Sequence, residues 1–431
     1  MKSKFWKKVS QVTLGTVISQ AIAISGAPIL SRLYTPESFG TLGTFVSIVS
    51  VASILAKFGY DRAIMVIESR NLVNLLLLIL LVIVCLNSMI IAVATSIFEK
   101  DLGFYLIFTG ILILSLVSVM DILFSRFSLF KELSFLKIFR SITVILTQVA
   151  LSFKTLKYGL IVGMLCGNLV TLLVGYFTYL KRIGFKLKRL SLKLVKILLF
   201  GLSDFPKYGV WGSFLNALSL SSVILLMGFF FPKSVVGYFF LTYRLLQVPL
   251  ALIGQSIGLV FFQEFSSYIR EKNLIRAKNL FLSLEKKLAL IGILPFGILT
   301  VFGDKIVVLL LGKEWYTAGV YLQLLSISGF FNFIASPLSS VFASLRLQSL
   351  FFASQIFFLI LRGVGIIISG IFDSDMMAVA VLGIINFTLY LGFLLYIHKF
   401  VLHLRALDIF KNTFIFMFAL MILYVLRRLG M

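Results

Sequence analysis

Histidine and cysteine are almost missing from this 431-residue chain, with two of each, and acids are scarce, 16 against 40 lysines and arginines. Metal centres are built from clusters of Cys, His and carboxylates, which so thin an inventory does not offer. Cys85 and Cys166 lie inside apolar runs without partner spacing, so neither a disulfide framework nor a metal pair is expected, and both read as packing residues. His398 and His403 flank one end of an apolar run with no nucleophile or carboxylate pair beside them in sequence, and read as interfacial residues. Phosphate-binding loops, hydrolase elbows and metalloprotease helices are also missing. The expectation is a protein that is not an enzyme, needs no cofactor or metal, and does not use ATP by itself.

Charge is sparse as well, at 13% of residues, while 60% are hydrophobic and the mean hydropathy is +1.09. Apolar runs of membrane-spanning length recur along the whole chain, which describes an all-α polytopic membrane protein. The net charge of +24 does not point to nucleic acid, because the basic residues fall in short segments between apolar runs, as the positive-inside pattern requires.

Runs long enough to cross about 30 Å of hydrocarbon predict spans at 10–33, 39–60, 72–97, 103–125, 138–153 and 158–180. A second set follows at 208–231, 235–262, 284–302, 318–345, 348–371 and 376–398. A last apolar run, 412–426, is marginal in length and is either a thirteenth helix or an interfacial one. The basic start MKSKFWKKVS resembles a signal peptide, but the run beyond it carries Thr13, Thr16, Ser19 and Gln20 and is too long and polar for a cleaved segment. With the N-terminus inside, 29 basic residues fall on the cytoplasmic side and seven outside, which predicts a cytoplasmic N-terminus.

The chain reads as two pseudo-symmetric six-helix lobes, 1–180 and 208–402, joined by a basic amphipathic connector at 181–207 and followed by an extension at 403–431. The first span ends in LYTPESFG and the seventh in FFFPKSVVG, so that Pro36 and Pro232 open equivalent outer turns and Gly40 and Gly237 permit close helix contact. In the connector, Leu187, Leu190, Leu194 and Ile197 recur at helical spacing opposite lysines and arginines, a pattern suited to the inner leaflet. The stretch from Tyr268 to Lys287 reads the same way. Pro28, Pro249, Pro295 and Pro337 fall within spans, where proline removes a hydrogen bond and bends the helix. Trp6, Trp211 and Trp315 fall near interfaces.

Polar residues inside the spans are few, and an intramembrane ionisable residue is a functional-site candidate by default. Arg244 in the eighth span and Arg362 in the eleventh are the two clear cations, with Arg32 at the outer end of the first. Arginine's fork replaces the hydration of a phosphate better than lysine's point charge. Gln247, Gln255 and Asn332 supply neutral hydrogen-bonding groups suited to sugars. Asp121 and Asp61 are candidates for ion coupling. Alternatives remain open at two of these positions: Arg244 one or two turns from the interface would snorkel to headgroups, and Asp121 paired with Arg126 would be structural.

Three segments carry a family resemblance: GYFFLTYRLLQVPLALIGQSIGLVFFQEFS around Arg244, LSRLYTPESFGTLGTF near the start, and GKEWYTAGVYLQLLSISGFFNFIASPLSSVFASLRLQS in the second half. They resemble the Wzx-type polysaccharide flippases of the multidrug/oligosaccharidyl-lipid/polysaccharide exporter superfamily. Where many relatives carry an Asp-Arg pair in the seventh span, this chain has Ser221 and Ser222, and no role of that pair transfers. The resemblance implies a flippase of the bacterial cytoplasmic (inner) membrane. It would move undecaprenyl-diphosphate-linked oligosaccharide repeat units for O-antigen or capsule by alternating access. Its implied partners are the lipid-linked oligosaccharide, membrane lipids, and a polysaccharide polymerase and glycosyltransferases of the same pathway, with no nucleic acid. The alternatives are a drug/cation antiporter of the same superfamily, a major-facilitator protein suggested by GYDRAIMVIESR, and a membrane-embedded polymerase or ligase. The last normally needs a long outer loop, and the longest outer segment here runs only from Gly303 to Thr317.

Overall fold

The computed structural model describes residues 2–403 except 68, 100, 155–157, 185–191 and 251–254. It is all-α, with no strand among the described residues and 11 helices long and apolar enough to cross a membrane. The marginal run 412–426 lies outside the described residues. The chain divides into two compact units, Met1–Leu225 and Leu226–Met431.

The first unit begins with α1 (Lys2–Ser25) and α2 (Ala27–Leu33), which together form the expected first span, interrupted at Gly26 with Pro28 in the first turn of α2. The proline ring cannot donate to the turn before it, and the break falls there. Next come α3 (Pro36–Ala56), the one-turn α4 (Tyr60–Ala63), α5 (Arg70–Phe98), α6 (Gly103–Arg126), α7 (Phe130–Ser152) and α8 (Gly159–Arg182). Pro36 starts α3 behind an extended Thr35, where its missing N–H costs nothing. Within this unit the most extensive helix pairing is that of α7 with α8. Gly159, Gly163 and Gly167 form a four-residue-spaced small stripe, and a Cβ on Gly163 or Gly167 would stand 2.7 Å from the Gln148 Cα or 2.5 Å from the Val144 Cα. Such stripes let backbones of membrane helices touch, and dispersion and polar contacts then replace the missing hydrophobic drive. Across this seam Thr147 donates to the Gly163 carbonyl at 2.6 Å and Gln148 to Leu160 at 2.9 Å.

The α6–α7 boundary corrects the sequence reading. α7 starts at Phe130, eight residues before the expected span at 138–153, so Lys137 joins Arg140 inside the helix. Their long stems allow charged residues to occupy an early helical turn that hydropathy alone rejects. After the gap at 185–191, α9 (Leu192–Gly201) turns Leu198 and the following Leu202 toward the core while Ile197 stays 61% exposed. Leu187 and Leu190 of the expected amphipathic face lie outside the described residues. A π-turn (Phe205–Gly209) and α10 (Val210–Phe230) follow.

The second unit contains α11 (Lys233–Pro249), α12 (Gln255–Arg270), α13 (Leu274–Leu311), α14 (Tyr316–Leu338), α15 (Ser340–Ser344), α16 (Gln348–Ile371), α17 (Asp375–Tyr396) and a π-turn (Ile397–Val401). The expected eighth span, 235–262, is therefore carried by two helices on either side of 251–254. The expected ninth span is the middle of a 38-residue helix. At 1.5 Å per residue α13 runs to roughly 57 Å, well beyond the hydrocarbon thickness. It absorbs part of the basic stretch Tyr268–Lys287 at one end and most of the presumed outer loop at the other, where Ile306 to Leu311 are simply its last turns. Only Gly312 and the 3₁₀ turn Lys313–Trp315 separate it from α14. α13 and α14 meet over glycines, since a Cβ on Gly319 would lie 2.6 Å from the Asp304 Cα.

Trp315, in the turn between α13 and α14, is fully buried and edge-on to Tyr238 at 5.9 Å. One side-chain expectation fails. Cys85 and Cys166 are free and exposed rather than packed inside. In a membrane helix the outward face is as apolar as the core, so hydropathy does not tell inward from outward.

Candidate functional site

Ionisable groups inside the spans sort by what holds them. In the first unit Gly59, at φ +74°, turns the chain after α3, and a Cβ there would stand 2.9 Å from the Phe205 carbonyl oxygen, so only glycine fits. This turn brings Asp61 back onto Lys57, Nζ to Oδ2 at 2.9 Å, with both side chains about 90% withdrawn from solvent (8% and 10% exposed). Lys57 also donates to Ser118 Oγ at 2.6 Å. The neighbouring Arg62 guanidinium hydrogen-bonds to Ser213 of α10. Asp61 is thus one half of a closed, one-to-one ion pair.

Asp121 pairs with Arg140 of α7 and not with Arg126: Nη2 reaches Oδ1 at 2.8 Å and Nη1 reaches Oδ2 at 3.3 Å, a bidentate fork. Arg126 is directed elsewhere, donating to the Ile67 carbonyl at 2.6 Å. One turn before Arg140, Lys137 donates to Thr16 Oγ1 of α1 at 3.0 Å. Arg32, at the end of α2, is exposed.

In the second unit Arg362 of α16 is 5% exposed and satisfied by neutral groups. Its Nε donates to Asn386 Oδ1 at 2.7 Å and its Nη2 to the Tyr390 hydroxyl at 3.0 Å, both on α17. The guanidinium carbon also lies 5.5 Å from the Phe358 ring centre and 5.8 Å from that of Tyr390. Aromatic faces and an amide dipole stand in for water around this cation. Arg244 on α11 differs. It is half-buried and makes no hydrogen bond or ion pair with any described residue. Residues 239, 242 and 246 turn inward, the last two onto α14: Phe239 is buried, Thr242 donates to Ala318 at 2.8 Å, and Leu246 abuts Gly329. At 100° per residue Arg244 points to the opposite side of α11. Gln247 and Asn332 are half-buried in this unit, and the Gln255 side chain lies outside what is described.

The histidine reading needs correction. His398 is fully buried in the π-turn after α17, its Nε2 3.0 Å from Glu285 Oε2 of α13, and Glu285 is itself only 2% exposed. The two are 113 positions apart, so spacing gave no hint of the contact. No group of three His, Cys, Asp or Glu that could hold a metal occurs among the described residues.

Residues 29–320 match the polysaccharide biosynthesis protein family. The chain belongs to that family. The teichuronic acid biosynthesis protein TuaB of Bacillus subtilis (strain 168) is 28% identical over 145 residues, which is 33% of this chain but only 29% of TuaB. Among solved structures, the inward closed lipid II flippase MurJ superposes with a TM-score of 0.74 at 14% identity, covering 96% of this chain and 92% of that one. An inward-facing multidrug resistance MATE transporter of the MOP superfamily gives 0.58 at 16% identity, covering 89% and 96%. At these identities the likeness concerns the fold, which is that of MOP-type transporters.

Proposed function

We propose that this family member is a flippase that carries undecaprenyl-diphosphate-linked oligosaccharide repeat units, for O-antigen or capsule, across the bacterial cytoplasmic membrane. The observation that carries this reading is the character of the intramembrane charges. Among the described residues Arg244 makes no hydrogen bond or ion pair, and Arg362 is held by an amide oxygen, a hydroxyl and two aromatic rings. A cation kept in hydrocarbon without a counter-ion favours an anionic ligand. A diphosphate headgroup supplies that charge, and the half-buried amides of Gln247 and Asn332 suit sugar hydroxyls. The fold shared with a lipid flippase, and the partial similarity to a teichuronic acid biosynthesis protein, support the same substrate class. Under this reading the two six-helix lobes alternate access, the N-terminus is cytoplasmic, and a polymerase and glycosyltransferases act before and after the transport step. Arg32 then serves the outer mouth, and Asp61 or Asp121 would carry any coupling ion.

The MATE likeness favours a second reading, a drug/cation antiporter, but a cationic cargo would meet the positive charges of Arg244 and Arg362. The two readings are separated in cells lacking this chain. The flippase reading expects surface polysaccharide to disappear while lipid-linked repeat units accumulate, both reversed by the wild-type chain. Unchanged surface polysaccharide with raised drug sensitivity establishes the antiporter instead.

A further inference from the structure

The ion pair between α6 and α7 is not a closed one. Lys57 and Asp61 match one to one and are shut away, whereas Asp121 faces two cations, Arg140 and Lys137. Both carboxylate oxygens of Asp121 are taken by Arg140. Among the described residues the Lys137 ammonium donates to the Thr16 hydroxyl, and it is attracted by Asp121 and repelled by Arg140. The trio therefore carries one positive charge in excess. Its place makes that costly: Lys137 lies seven residues into α7, about 10 Å along the axis, and Asp121 five residues before the end of α6. Uncompensated charge inside a membrane helix is retained where it has a ligand or a wet path.

Two further features suit a ligand. The Asp121 and Arg140 side chains keep 29% and 25% of their surface exposed, so the trio is reachable. The Arg140 Nε is buried and has no hydrogen-bond partner while both terminal nitrogens are engaged by Asp121. Its fork is thus only partly used, and a small turn of the guanidinium would present Nε and one Nη together to an oxyanion.

Resting on the flippase reading, we propose that Lys137 and Arg140 form a diphosphate site in the first unit, with Asp121 as a resident counter-ion that the incoming headgroup displaces. The more highly charged diphosphate takes over the two cations on arrival, and the return of Asp121 to Arg140 helps to eject it. Asp121 then acts by exchange and needs no change of protonation. It is a positioning residue, and Lys137 and Arg140 are the binding ones. The purely structural alternative is that Arg140 ties α7 to α6 and Lys137 ties it to α1.

The test uses the full-length chain purified in detergent, with farnesyl diphosphate as probe and farnesol and inorganic pyrophosphate as controls, binding being measured by calorimetry. Wild type is expected to bind farnesyl diphosphate and not farnesol; a match by inorganic pyrophosphate would assign the site to free phosphate anions rather than a lipid headgroup and overturn the lipid assignment. Lys137→Met leaves the Asp121–Arg140 fork intact and should weaken farnesyl diphosphate binding at least tenfold at an unchanged melting temperature. Asp121→Asn, which removes the competitor, should tighten it several-fold, an effect that a structural tie does not give. Equal binding by Lys137→Met and wild type overturns the site while leaving the flippase reading standing, as does weaker or unchanged binding in a folded Asp121→Asn. Should Asp121→Asn fail to fold, Lys137→Met alone decides. Failure of wild type to prefer the diphosphate over farnesol overturns the site and the substrate class together.

Discussion

Glu285 and His398 meet inside the second unit, Oε2 to Nε2 at 3.0 Å, with 2% and 0% of their surfaces exposed. Phe281 lies edge-on to the imidazole, ring centres 5.2 Å apart, and Phe261 and Phe265 of α12 extend the same aromatic cluster. The contact anchors the π-turn after α17 to the first third of α13. Charged neighbours in sequence, Lys286, Lys287 and Lys399, are exposed. Removing either partner strands the other in an apolar site. Glu285→Ala and His398→Ala should each destabilise the chain by about 1.5–3 kcal/mol. The double variant should lose clearly less than the sum, because the second change relieves the first. Thermal unfolding of the purified chain checks this, and strictly additive losses would show that the two do not depend on each other.

The α7–α8 seam gives a second prediction. Gly163 and Gly167 leave no room for a side chain against the α7 backbone. Gly163→Leu and Gly167→Leu should separate the helices and break the Thr147 and Gln148 bonds to α8. Overpacking of this kind costs about 1–3 kcal/mol or more. The same change at Gly212, where an added Cβ meets nothing within 4 Å, should be tolerated. Membrane-inserted protein level in the three variants is the readout.

How much of this was legible beforehand follows from what hydropathy measures. The all-α membrane class, the helix starts at Pro36 and after Pro232, and the break of the first span near Pro28 follow from apolar run lengths and from proline's missing N–H. The long α13 was cut short because Asp304 and Lys305 suggest a loop. In the structure Asp304 is buried against Gln323, Nε2 to Oδ1 at 3.0 Å, a partner 19 residues away. Lys137 was left outside its span for the same reason. The Asp121–Arg140, Lys57–Asp61 and Glu285–His398 pairs depend on which helix faces which, and a single sequence does not contain that. The Gly159, Gly163 and Gly167 stripe was readable from its four-residue spacing and is the clearest missed signal.

Arg244 separates binding from anchoring. An unpaired guanidinium that meets a diphosphate predicts that Arg244→Ala loses surface polysaccharide at normal membrane abundance, and that Arg244→Lys recovers only part, since the charge remains but the fork does not. A snorkelling arginine predicts full export with lysine and reduced protein with alanine. Surface polysaccharide and membrane protein level, measured together in both variants, tell the two roles apart.

Transport itself is measured most directly with the purified chain in liposomes loaded with undecaprenyl-diphosphate-linked repeat units on both leaflets. An impermeant, sugar-cleaving enzyme added outside reports how much substrate is accessible. Without the protein, about half should be cleaved and then no more. With the wild-type chain the account predicts that cleavage proceeds to near completion, and that Arg244→Ala holds it close to the protein-free plateau. A plateau at one half with correctly folded wild-type protein would contradict the claim that this chain flips lipid-linked oligosaccharides.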